Sequence, residues 1–141
     1  MAADLSVLTS TPDLRCIPEV QARMVRAWRY MCIARRCGNY CPTQLLRHLH
    51  SLDAIRPFHV LSDEIDRGWP EPFAFNAPCR YQCSYDEMLL LDLTTAAAKD
   101  ERKTFDAFIV DMVPAASREA IWVAARRLMT HLARTAGECK R

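Results

Sequence analysis

The chain has 141 residues, a formal net charge of +2, half of its residues apolar and 26% charged. That is ordinary globular composition, enough for one domain with a real core, and it argues against general disorder. Only three glycines are present, which is few for a fold built on tight β-turns, and no apolar run approaches the roughly 20 residues that span a bilayer.

The opening "MAADLSVLTSTPDLR" carries two Asp and no basic residue before Arg15, so it lacks the charged start of a secretory signal. Residues 1–14 are expected to be a flexible arm, residues 137–141 a flexible C-terminus, and the protein cytosolic. Seven cysteines in a reducing compartment are expected to be free thiols or metal ligands, and the odd count weakens a complete disulfide framework.

"PEVQARMVRAWRYMCIARRCG" places Val20, Met24, Trp28 and Met31 at helical spacing, with Val25 and Cys32 widening the stripe. Pro18 suits its first turn and Gly38 the position just past its end. "PTQLLRHLHSLD" predicts a second helix with Leu45, Leu49 and Leu52 on one stripe and Leu46 beside it. Pro57 opens a third segment, with Phe58, Leu61 and Ile65 on one side.

"GWPEPFAFNAP" has three prolines and a glycine and reads as an ordered loop whose Trp69, Phe73 and Phe75 pack onto the helices. In "SYDEMLLLDLTTAAAK", Ser84 and Glu87 have capping-box spacing, and Leu89 to Leu91 should be largely buried. "ERKTFDAFIVDMV" places Phe105, Phe108, Ile109 and Met112 on one face before Pro114. The last segment places Ile121, Ala125, Leu128 and Leu132 on one face and Arg127 with Arg134 on another, with Ser117 and Gly137 as candidate caps. These segments predict an all-α, single-domain bundle of five to six helices spanning the chain, with one ordered loop rich in proline and aromatic residues.

Cys37, Cys41, Cys79 and Cys83 form two Cys-x-x-x-Cys pairs. Pairs spaced by two to four residues each supply half of a tetrahedral site, so the four are a candidate zinc or iron–sulfur set. The commoner zinc knuckle has two intervening residues, however, and free cysteine is often buried as a small hydrophobe. Ordinary thiols and no cofactor are therefore the preferred reading. His48 and His50 would point about 200° apart on a helix and cannot share a metal there. No Gly-x-Ser-x-Gly, His-Glu-x-x-His or phosphate-cradling glycine loop is present, so no catalytic residue is assigned and the chain is not read as an enzyme.

Charge is unevenly spread. From Arg15 to Leu61 eight Arg stand against Glu19 and Asp53, a local balance of +6, whereas residues 62–106 carry a balance of −5. Arg23, Arg26 and Tyr30 follow one side of the first helix and Arg35 and Arg36 close it, a candidate surface for a protein partner or for nucleic acid. Asp63, Glu64 and Asp66 spoil the following helix as a DNA-recognition element.

"WRYMCIARR", "RPFHVL", "NAPC" and "SYDEMLLLDL" together resemble a family of small bacterial proteins of unknown function, over roughly residues 24–130. The resemblance implies a small all-helical domain and no activity. Cys79 matches its Ala-Pro-Cys segment, and the Cys37–Cys41 pair has no counterpart in it. The expected function is thus that of a non-enzymatic regulatory or adaptor protein. The alternative is a metal- or redox-responsive regulator using the four cysteines, with nucleic acid as a possible target.

Overall fold

A computed structural model describes residues 11–139, and the side chains of residues 11–134. The described residues form an all-α single domain of six α-helices: α1 (Glu19–Cys37), α2 (Leu46–Leu49), α3 (Ile55–Gly68), α4 (Tyr85–Ala98), α5 (Arg102–Ile109) and α6 (Ala115–Cys139). A 3-10 turn, Pro42–Leu45, leads into α2, and the one departure from helix and loop is an isolated bridge between Asp13 and Gln82. None of these helices is long and apolar enough to cross a membrane.

Helix α1 has the bounds its punctuation predicts. Pro18 precedes its first residue, and Gly38 ends it at φ 73°, the left-handed region that favours glycine. The Gly38 and Asn39 amides donate to the Arg35 and Ala34 carbonyls and so satisfy the helix end. Met24, Val25, Trp28 and Met31 are buried, and the Trp28 ring meets Phe58 of α3 at 5.3 Å and Phe73 of the loop at 5.2 Å.

Helix α2 is shorter than its leucine spacing predicts. His50 adopts φ 57°, and its amide closes onto the Leu46 carbonyl. The helix therefore stops after one turn, which carries Leu52 out to 68% exposure and leaves Leu46 on the surface, while Leu45 and Leu49 are buried as expected. In α5, Phe105 and Ile109 are buried and Phe108 is 41% exposed; the helix ends at Ile109, and Val113 beyond it is buried.

Helix α6 begins at Ala115, so Ser117 lies inside its first turn rather than capping it, and it runs through Gly137 to Cys139. Ser117 serves the close approach of α3 and α6 instead. A Cβ on Gly68 would lie 2.9 Å from the Ser117 Cβ, so the crossing needs a residue without one.

The loop of residues 69–83 is held down as expected. Trp69 and Phe73 are buried and Phe75 is half-buried. What latches it is a pair outside the sequence reading: Arg29 on α1 and Glu87 on α4 are both fully buried. The Arg29 Nε donates to Glu87 Oε2 at 2.8 Å and Nη2 to Oε1 at 2.9 Å, a bidentate pair. The same guanidinium donates to the carbonyls of Arg80 (2.5 Å) and Gln82 (3.0 Å). Glu87 also accepts from the Ser84 amide at 2.8 Å and the Asn76 amide at 3.3 Å, and Ser84 Oγ accepts from the Glu87 amide at 3.1 Å, completing the predicted capping box.

The expected arm over residues 1–14 differs at its described end. Leu14 is buried, its amide donates to the Tyr81 carbonyl, and the Cys83 amide donates to the Pro12 carbonyl. A short apolar residue with free backbone groups on both sides is enough to seat residues 11–14 against 81–83. Residues 1–10 lie outside the described residues. The flexible tail expected over 137–141 begins within α6, and residues 140–141 also lie outside them.

Candidate functional site: a cleft along α1

Residues 26, 30, 33 and 37 recur at three- and four-residue steps and therefore share one face of α1. Arg26, Tyr30, Ile33 and Cys37 line a cleft of about 340 Å³ there, closed by His48 from α2 and Pro78 from the loop. The cleft depends on the buried latch. Arg29 and Glu87 fix residues 76–82 against α1, and Pro78 of that segment joins the lining.

Tyr30 is fastened at its far end. Its hydroxyl pairs with both the amide and the carbonyl of Cys41 at 3.3 Å. Its ring lies 5.9 Å from those of Tyr40 and His48. Beyond it, the Tyr40 hydroxyl is hydrogen-bonded to His59 Nε2 on α3. Burial pushes the Tyr40 phenol up to about 12 and lowers both His48 and His59 below the ordinary imidazole value, with Arg26 adding to the effect at His48 and Arg35 at His59. His48, Tyr30, Tyr40 and His59 thus form a row of neighbouring rings in which burial disfavours the charged forms of His48, Tyr40 and His59.

The five residues expected at a partner surface divide into two groups. Arg26 and Tyr30 line the cleft, and Arg23 lies beside them, with Arg23 3.4 Å and Arg26 4.0 Å from the single Glu19 carboxylate. Arg35 and Arg36 are exposed and lie over ring faces instead: Arg35 is 5.1 Å from the Tyr40 centroid and Arg36 4.7 Å from that of Phe75. These contacts add modest cation–π attraction and tie the end of α1 to its surroundings.

The four candidate cysteine ligands differ in their surroundings. Cys37 is exposed at the end of α1, Cys41 is exposed with its Sγ 3.1 Å from Thr43 Oγ1, Cys79 is exposed in the loop, and Cys83 is buried. Among the described residues no group of three or more His, Cys, Asp or Glu is placed to hold a metal ion. Burial raises the Cys83 and Cys32 thiols to about 11, whereas the Thr43 hydroxyl lowers that of Cys41.

Sequence reasoning missed Ile33, His48 and Pro78. The signal for Ile33 was present, since it lies three residues after Tyr30 and four before Cys37. The spacing of His48 to His50 gives no hint of its place beside Tyr30, and Pro78 enters through the tertiary latch. Compared with known protein families, with curated proteins and with solved structures, the chain matches none.

Proposed function

We propose that the protein acts without catalysis, as a regulatory or adaptor protein whose α1 cleft holds a short apolar segment of a partner protein beside a carboxylate. The observation that carries this reading is the composition of the cleft: the Tyr30 ring, Ile33 and Pro78 form apolar walls, and the Arg26 guanidinium stands at the edge. Small concave sites combine apolar walls with a few oriented polar groups in this way, and Tyr and Arg carry a large share of contact energy at protein interfaces. Glu19 neutralises only part of the Arg23–Arg26 charge, so an acidic residue flanking the apolar anchor would be attracted. Four exposed free thiols among the described residues, at Cys16, Cys37, Cys41 and Cys79, support a reducing compartment as its place of action.

Panning a random peptide display library on the whole protein tests the reading. Enriched peptides should pair an aliphatic or aromatic anchor with Asp or Glu, and enrichment should be lost on the Ile33→Asp and Arg26→Glu proteins. Enrichment that ignores both substitutions, or a preference for single-stranded nucleic acid that decays steeply with salt, would overturn it.

A further inference from the structure

A second cleft, of about 240 Å³, lies between α3 and α6 and is built from helices other than α1. Each wall presents a basic residue and an apolar one at helical spacing. On α3 these are Arg56 and Val60, one turn apart; on α6 they are Arg127 and Ala124, with His131 one turn beyond Arg127. Asp53, in the turn before α3, stands at the lip. Gly68 lets the two helices approach closely near the end of α3. The cleft lies at the other end of α3, around Arg56 and Val60.

Arg56 and Arg127 are exposed, and among the described residues neither guanidinium has an ion-pair or hydrogen-bond partner. Elsewhere in the fold Arg15, Arg29, Arg67, Arg102, Arg118 and Arg126 meet carboxylates. Two arginines without a partner, both lining one partly apolar cleft, are suited to bidentate recognition of a planar anion. Asp53 is the one carboxylate among the lining residues, so the two arginines leave the cleft with an excess of positive charge that suits an anion but disfavours added negative charge near Asp53, and the Val60 and Ala124 floor suits an apolar body.

We infer that the α3–α6 cleft binds a small organic monocarboxylate, its carboxylate between Arg56 and Arg127 and its apolar body on Val60 and Ala124. A phosphate monoester would bring a second negative charge against Asp53 and binds more weakly. Because this cleft shares no residue with the α1 cleft, ligand binding here stands or falls independently of the partner-segment reading.

Titrating the full-length ¹⁵N-labelled protein with phenylacetate, and separately with phenyl phosphate, tests the assignment by amide chemical shift. Phenylacetate should give saturable shifts at Val60, Ala124 and Arg127 with a dissociation constant on the order of 1 mM, as expected for a ligand of this size in an open cleft. Arg56→Gln and Arg127→Gln should each weaken it about tenfold with unchanged melting temperature. Val60→Asp, at an exposed position, should abolish it. Phenyl phosphate binding more tightly than phenylacetate, shifts that persist in the two Gln variants, or no saturation by about 10 mM would each overturn the assignment.

Discussion

Replacing Glu87 by Gln changes one atom in a fully buried ion pair. Each Glu87 oxygen accepts from two donors: Oε1 from Arg29 Nη2 and the Ser84 amide, Oε2 from Arg29 Nε and the Asn76 amide. A glutamine amide can replace only one of those oxygens by a carbonyl, so in either orientation its NH2 group confronts two donors. The Arg29 charge is left fully buried without a counter-charge. Breaking a buried ion pair from one side costs about 3–5 kcal/mol, because the desolvation of the surviving charge is no longer offset. For a chain of this length that corresponds to a melting temperature lower by roughly 10–20 °C. Arg102→Gln is the control. Its pairs with Asp106 and Glu119 are partly exposed, so its loss should stay under about 1 kcal/mol. Urea denaturation monitored by far-ultraviolet circular dichroism measures both variants, and limited proteolysis should cut within residues 69–83 faster in Glu87→Gln. A loss below about 1 kcal/mol for Glu87→Gln would refute the latch as the element that holds the loop.

Gly68→Ala should destabilise by about 1–3 kcal/mol despite the better helix propensity of alanine, because the new methyl meets Ser117; a raised melting temperature would show that the helices can part freely. Ser84→Ala should cost about 1–2 kcal/mol, since the hydroxyl both accepts from the Glu87 amide and donates to the Ala74 carbonyl; an unchanged urea midpoint would contradict it. Burial lowers the His48 and His59 values below 6.5, so the unfolded chain binds more protons than the native state just under that pH. Their contribution is full above 6.5 and is lost as pH falls, and the melting temperature should drop between about pH 7 and pH 5.5, less so in a His48→Asn/His59→Asn protein. Asp66 and Asp92, raised from 3.8 by burial, act in the opposite sense, and a melting temperature that rises across the window would contradict the assignment to the histidines. Cys79→Ser, at an exposed site, should shift stability by less than about 0.5 kcal/mol, and loss of a stoichiometric metal together with a large destabilisation would favour the four-cysteine alternative.

The elements most legible in the sequence are those whose causes are local. Pro18 and Gly38 bound α1 because each restricts or frees a single φ angle, and Ser84 with Glu87 caps α4 through groups three residues apart. The length of α2 was not legible, since leucine periodicity continues to Leu52 while His50 turns left-handed and ends the helix. Arg29 was hidden for a related reason. It lies on the buried stripe, four residues after Val25 and three before Cys32, where a sequence reading expects an apolar side chain. Only the arrival of Glu87, 58 residues later, makes a buried charge tenable. The face of Arg26 and Tyr30 could be read from helical spacing, but the cleft could not, because His48 and Pro78 reach it through tertiary packing. The equal spacing of the two cysteine pairs said nothing about convergence. Cys83 is buried where its backbone is fastened to residue 12, and Cys37, Cys41 and Cys79 remain on the surface.

The α1 cleft is tested most directly by titrating the ¹⁵N-labelled protein with an acetylated, amidated peptide in which one Glu is flanked by Leu and Phe. The account predicts saturable shifts concentrated at residues 26–37 and at His48, removed by Ile33→Asp with the helical spectrum intact. Shifts scattered over other helices, or saturable binding equal in the Ile33→Asp protein, would contradict it.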